Sequence, residues 1–268
     1  MLYFPQLTTG SVAQYPCHKE RRYRTVVNET PGGSLYTYAD GSAVATSWNL
    51  SYTGLTDAER ARLEQLFSDA EGRLLPFVFT DPFGNMLRWS ERLDKPAWTI
   101  SAYVHLTSGL PDPLETTRAT RVINAAQTSQ EIIQEVSGGG PGEYCFSLTA
   151  KAEAPCKLVL AIEGSERRAE TTIQLRGTWA DVGCSTLFDA PFESLKFVVS
   201  LEPGATLDVF GCTAQAQRSS SGYRPTRDKS GLYERTYFAD DDLRITANGP
   251  DNNACELQLM SFSGISNE

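Results

Sequence analysis

Histidine is nearly absent: His18 and His105 are the only two in 268 residues. A Ser-His-Asp triad needs one of them beside a serine nucleophile, and no G-x-S-x-G elbow is present. The nearest approach, "EGSER" (Glu163–Arg167), lacks the second glycine. Both histidines therefore read as surface or hydrogen-bonded positions. The six cysteines, at 17, 145, 156, 184, 212 and 255, form no CxxC pair. With two distant histidines, that spacing gives no zinc site, and free buried thiols are expected. No run of about 18 apolar residues exists, so no membrane span is expected. The opening "MLYFPQLTTG" has neither a basic n-region nor an apolar h-region, so no secretory signal is expected.

Basic charge is also scarce. Lys and Arg number 24 against 33 Asp and Glu, a net charge of −9. General nucleic-acid binding needs a basic patch, and no nucleic-acid partner is expected. The basic cluster "HKERRYR" (His18–Arg24) reads as a strand or loop at a protein contact. The acidic run "ADDD" (Ala239–Asp242) continues as "ADDDLRITA" and lacks the D-x-[DN]-x-[DN]-G spacing of an EF-hand. It reads as a solvated turn, not a carboxylate acid/base pair. These gaps predict a chain that is not an enzyme, with no catalytic residue, cofactor or metal.

What is present is mostly strand. One segment, "GLTDAERARLEQLFSDAEG", has helical periodicity. Thr56 is a good N-cap and Glu59 completes a capping box. Leu63, Leu66, Phe67 and Ala70 form one apolar stripe, and Gly72 is placed at C′. A helix over 56–71 is predicted. After it, "LLPFVFT" and "MLRWSE" flank Asp81-Pro82-Phe83-Gly84-Asn85, which predicts a hairpin over 74–90 packed on the helix. Asp81 reads as an Asx-type turn former. Before the helix, "YRTVVNE" and "ATSWNLSY" alternate as strands.

From about Trp98 short strands recur with turn signals between them: "RATRVIN", "QEIIQEV", "EYCFSLTAKA", "KLVLAIEG", "ETTIQLRG", "LKFVVSLEPG", "TLDVFGCTAQ", "LRITA" and "CELQLMSF". That texture is a β-sandwich. The predicted class is mainly β: an N-terminal α+β domain over 1–98, a β-sandwich with one helix, and a C-terminal β-sandwich or jelly roll over 99–268.

Two stretches resemble known families. In residues 14–98, "QYPCHKERRYRTVVNE", "WNLSYTGLTDAERARLEQLF" and "GRLLPFVFTDPFGN" follow one another. An early strand, a W-x-L-x-Y strand, an LT-x-x-E helix, a G-R-x-x-P-F return strand and a DP-x-G-N turn come in that order. This resembles the N-terminal domain of tailed-bacteriophage distal tail and minor tail proteins. The resemblance implies a structural virion protein, assembled in the host cytoplasm into the tail. There a ring of identical copies, six by family pattern, links the tail tube to tip or baseplate proteins.

The second stretch comprises "GEYCFSLTAKA", "GTWADVG", "LEPGATLDVFGCTAQAQRSSSGYRPT" and "GLYERTYFADDDLRITANGP". It resembles a carbohydrate-binding-module-like jelly roll carried by phage tail and fibre proteins. Where that family has an acidic residue and a proline-serine pair, this chain has Gln215 or Gln217, and Ser220 with Ser221. The resemblance thus implies the fold more than the sugar. The alternative it raises is a tail-attached glycan or receptor-binding module without catalysis, with host surface glycan as partner.

The aromatics of the C-terminal half include Tyr144, Trp179, Tyr223, Tyr233 and Tyr237. Tyr223 and Tyr233 flank a polar loop and are the glycan-contact candidates, while Trp179 reads as an anchor of the sandwich. The polar, glycine-rich "NETPGGSLYTYADGSAVA" (Asn28–Ala45) reads as an arm reaching a neighbouring copy, with Pro31, Gly32, Gly33, Tyr36 and Tyr38 as its candidate residues.

Overall fold

The structure is a computed structural model that describes residues 1–164 and 167–263, without the side chains of 40–43 and 263. Ser165 and Glu166 of "EGSER" lie outside the described residues. In chain order the strands are β1 (Leu2–Tyr3), β2 (Cys17–Glu29), β3 (Leu35–Leu55), β4 (Phe77–Thr80), β5 (Thr99–Ile100), β6 (Val104–Leu110), β7 (Ala119–Asn124), β8 (Gln130–Gly139) and β9 (Gly142–Ala152). They continue as β10 (Cys156–Glu163), β11 (Arg168–Leu175), β12 (Ala180–Phe188), β13 (Phe192–Leu201), β14 (Thr206–Gln215), β15 (Leu232–Phe238), β16 (Ile245–Gly249) and β17 (Asn252–Ser263). The helix α1 spans Asp57–Asp69. The chain is mainly β, as the sequence predicts.

The chain divides into two compact units, and the division differs from the expected boundary at 98/99. The first unit takes 1–5, 13–79 and 233–268, and the second takes 6–12 and 80–232. The end of the chain returns to the first unit because β17 pairs antiparallel with β3 from Leu55 to Val44.

The first unit holds one seven-stranded sheet in the order β1-β4-β15-β17-β3-β2, with β16 also on β17. Alternation sets its faces. Trp48, Leu50 and Tyr52 of β3 and Leu257 and Leu259 of β17 are buried, while Asn49, Ser51, Thr53, Glu256 and Gln258 are not. Trp48 meets Phe79 edge-on at 5.0 Å, and Phe77 meets Phe238 at 4.9 Å. Fully buried side chains of this size contribute about 1.5–3 kcal/mol each.

Helix α1 lies against β1, β3 and β17. Its capping box forms as expected: the Glu59 amide donates to Thr56 Oγ1 at 3.2 Å, and the Thr56 amide donates to Glu59 Oε2 at 2.9 Å. Leu63, Leu66 and Ala70 are buried, and Phe67 packs edge-on to Phe238 at 5.0 Å. The stop falls one residue earlier than predicted. Ala70 is the C-cap, and Glu71 (φ 51°) takes the left-handed position before Gly72 (φ 65°).

The expected hairpin over 74–90 does not form. β4 pairs in parallel with β1, and residues 81–98 carry no strand. The reason lies in where the backbone groups go. The Met86 amide donates to the Ala214 carbonyl, the Leu87 amide to Asn85 Oδ1, and the Trp89 amide to the Arg227 carbonyl. Trp89 is itself left-handed (φ 52°), which ends any extended run. The turn itself is as predicted: Asp81 Oδ1 accepts from the Phe83 amide at 2.9 Å.

The second unit packs two five-stranded sheets, β11-β10-β13-β8-β5 and β12-β9-β14-β7-β6, around one core. Phe146, Leu148 and Ala150 of β9 face Leu158, Leu160 and Ile162 of β10 and Leu195, Phe197 and Val199 of β13 in that cluster. Phe146 and Phe197 lie 5.5 Å apart. β6, β12 and β15 were not anticipated. All six cysteines are buried and free. Burial pushes the Cys145 and Cys212 thiols up to about 12 and Cys255 up to about 11, so they stay protonated at neutral pH.

Candidate functional site

The segment read as an arm is a two-stranded ribbon. β2 and β3 pair antiparallel along their length, and the outer part runs from Arg24 opposite Asp40 to Glu29 opposite Leu35. Among the described residues, β3 pairs with β17 only from Val44 onward, so Leu35–Asp40 is held by β2 alone. Thr30-Pro31-Gly32-Gly33-Ser34 closes the ribbon. The Thr30 amide donates to the Ser34 carbonyl at 2.9 Å, the Gly33 amide to the Thr30 carbonyl at 2.8 Å, and the Ser34 amide to Thr30 Oγ1 at 3.1 Å. Gly33 adopts φ 79°, which a β-carbon disfavours.

Pro31, Gly32 and Gly33 thus shape the turn, and the aromatic residues are what the ribbon displays. Tyr36 and Tyr38 are 63% and 56% exposed, opposite Asn28 and Val26 on one face. Leu35 and Val27, 66% and 55% exposed, occupy the other face. Tyr23 is exposed at the ribbon's base. The basic cluster is the adjoining part of β2, an edge strand whose Lys19, Arg21, Arg22 and Arg24 are exposed. A long edge strand with apolar groups on both faces is a site for pairing with another chain.

The two glycan candidates fall in different units, Tyr223 in the second and Tyr233 in the first. The Tyr223 ring lies edge-on to Phe210 at 5.0 Å, and its hydroxyl is 3.2 Å from Ser90 Oγ. Burial pushes its phenol well above the usual range. The Tyr233 ring meets Trp48 edge-on at 4.7 Å, with Lys19 Nζ 5.7 Å from each ring. Each tyrosine thus has an intramolecular role. Tyr144 is buried among Phe188 and Phe192 and donates to the Gly140 carbonyl. Trp179 is half-buried, with Lys151 Nζ 4.7 Å from its ring centroid.

The remaining titratable candidates stay apart. His18 and His105 are exposed, one in each unit. Asp240, Asp241 and Asp242 are exposed and outside any strand, as the turn reading requires. Asp241 accepts from the Arg73 amide and pairs with its guanidinium at 3.0 Å. No group of three His, Cys, Asp or Glu is arranged to hold a metal among the described residues. No described helix is long and apolar enough to cross a membrane.

No family model matches the chain, and no curated protein matches it. Solved structures do. They include carbohydrate-binding modules and a phage tailspike domain. One is a family 61 carbohydrate-binding module solved with β-1,4-galactotriose: 15% identical, TM-score 0.41, covering 48% of this chain and 97% of that one. Another is the C-terminal family 22 module of Clostridium thermocellum Xyn10B: 10% identical, TM-score 0.42, covering 54% and 100%. A third is the enzymatically active domain of bacteriophage CBA120 tailspike protein 4: 8% identical, TM-score 0.40, covering 49% of this chain and 21% of that one. Likeness at these identities and TM-scores assigns no ligand.

Among the described residues, one concave surface stands out in each unit. In the first, an open groove of about 770 Å³ is lined by Asn49, Ser51, Asp240, Asp242, Arg244 and Glu256. In the second, a depression of about 260 Å³ is lined by Arg121, Lys151, Glu153, Thr206 and Asp208. Sequence reading found neither. The second joins residues from separate strands, and Arg121 and Asp208 stand 87 positions apart.

Proposed function

We propose that this chain is a non-catalytic structural protein that assembles with copies of itself through the β2–β3 ribbon. The resemblance to distal tail proteins supplies the setting: a ring at the tip of a phage tail, six copies by family pattern, bridging the tail tube and the tip proteins. The observation that carries the reading is the ribbon. Two-stranded ribbons are marginal in water unless their side chains are covered. Here Tyr36, Tyr38, Leu35 and Val27 stand exposed on both faces. Docked on an adjacent copy, these side chains lose water contact, and the edge strand β2 gains a neighbour. A ring further requires a heterologous contact whose rotation closes.

The test is a shortened hairpin. Val26 and Tyr38 face each other, so residues 26–38 can be replaced by a tight two-residue turn without disturbing the pairing below. The variant is expected to keep the wild-type circular dichroism spectrum and melting profile. It is expected to be excluded from tail particles and from rings seen by negative-stain imaging. Normal incorporation of a folded, shortened variant would refute the reading.

A second reading is a tail-attached glycan-binding module acting without catalysis. One feature of the second unit favours it, the polar depression around Asp208.

A further inference from the structure

Arg121, Asp208 and Lys151 form a row across three neighbouring strands. Asp208 of β14 stands opposite Arg121 of β7 on one side and Lys151 of β9 on the other. Lys151 alternates with buried Ala150 and Ala152, so the row lies on the outer face of its sheet. Asp208 is nevertheless only 5% exposed. Arg121 grips it with two bonds, Nε to Oδ1 at 2.8 Å and Nη2 to Oδ2 at 3.3 Å. Lys151 Nζ lies 3.6 Å from Oδ2. Such a row adds little stability, because desolvating the carboxylate offsets its attraction to the cations. It does hold the groups in fixed directions.

We propose that the depression at Arg121, Lys151 and Asp208 is a subsite for one ring of a neutral saccharide. Its charges balance: two cations, Arg121 and Lys151, face two carboxylates, Asp208 and Glu153. A net-charged ligand therefore gains no preference. A ligand carrying adjacent hydroxyls does, since each hydroxyl both donates and accepts. Arg121 and Lys151 line the site as donors. Asp208 and Glu153 supply acceptors, and Thr206 supplies either. The guanidinium is already clamped by Asp208, so little side-chain freedom is lost on binding. Trp179, whose ring centroid lies 4.7 Å from Lys151 Nζ, places an aromatic ring next to this lining residue, where it can report binding. The volume, about 260 Å³, suits one ring of a longer chain crossing the surface. The site lies wholly within the second unit and does not depend on ring assembly.

The test titrates the full chain with neutral gluco-, galacto-, xylo- and manno-oligosaccharides and with galacturonate and sulfated oligosaccharides. Binding is read by calorimetry and tryptophan fluorescence. A neutral oligosaccharide is expected to bind with Kd between about 10 μM and 1 mM. Asp208→Asn and Lys151→Met are expected to weaken it at least about tenfold, and Trp179→Phe to remove the fluorescence change. Lys151 is partly exposed and serves if Asp208→Asn fails to fold. No binding of any neutral oligosaccharide at about 10 mM would overturn the proposal. Preference for the charged series, or unchanged binding by folded Lys151→Met, would do the same.

Discussion

Asn85 closes the turn after β4, and its side chain uses all four of its hydrogen-bonding positions. Its Nδ2 donates to the carbonyls of Cys212 at 2.9 Å and Arg224 at 3.0 Å. Its Oδ1 accepts from the amides of Leu87 at 3.0 Å and Ala214 at 2.9 Å. The residue is fully buried. Asn85→Ala would leave two amides and two carbonyls without these partners. Each stranded buried group costs about 1–3 kcal/mol, and water entering the small void recovers part of that. A net loss of about 3–5 kcal/mol follows. For a unit of this size, 1 kcal/mol moves Tm by about 2–4 °C, so Tm should fall by about 10 °C. Differential scanning calorimetry of the purified chain measures it. A variant melting within about 2 °C of wild type would refute the claim that Asn85 ties the 81–92 segment to β14.

Further outcomes follow from other contacts. Burial pushes the Asp112 carboxyl up, but the hydroxyl and amide of Thr116 and the amides of Leu114 and Arg118 outweigh it and hold it at about 2. Its folded value is depressed, so its contribution exists above the unfolded value near 3.9 and is lost as pH falls toward 2. The stability gap between wild type and Asp112→Asn in urea should therefore close between about pH 4 and 2, and a pH-independent gap would contradict this. A β-carbon on Gly139 would sit 2.1 Å from the Phe192 ring, so Gly139→Ala should cost about 1–3 kcal/mol and lower the urea midpoint, and an unchanged midpoint would count against the packing. Leu66→Asp buries an unpaired charge under α1 and should cost several kcal/mol, whereas an unaltered thermal melt would undo the helix-face assignment.

Local signals were legible and distant ones were not. The helix declared itself through Thr56, Glu59 and the Leu63–Leu66 stripe, all within one stretch of chain. The Asp81 turn did likewise. The predicted partner of β4 failed because "MLRWSE" alternates like a strand while its amides bond to Ala214 and Arg227, far along the sequence. The 98/99 boundary failed for the same reason: nothing near Leu257 says that its strand pairs with Leu50. β12 was missed because "ADVGCSTLF" mixes glycine with small polar residues, although Val182, Cys184 and Thr186 do alternate inward. The ribbon was half legible. The polar, glycine-rich composition of Asn28–Ala45 marked it as an arm, but "LYTYA" exposes apolar groups on both faces, so nothing in it declared a strand. The Asp208 row was not legible at all, because three strands must first come into register.

The placement of β17 has a consequence for how the protein is made. β17 lies inside its sheet, between β15 and β3, and comes from residues 252–263. On the ribosome, β2 and β3 emerge early but lack that central neighbour until residues 252–263 have been translated. The second unit, 80–232, is complete well before then. Synthesis thus runs against the order of the first unit's sheet: its inserted guest can fold while its host waits. A nascent chain stalled after residue 232 should resist protease across 80–232 and be cut within 13–79. Protection of both segments at that length would show that β17 is dispensable. By this timing the sheet that carries the aromatic ribbon is finished only once β17 has emerged, about 200 residues after the ribbon itself.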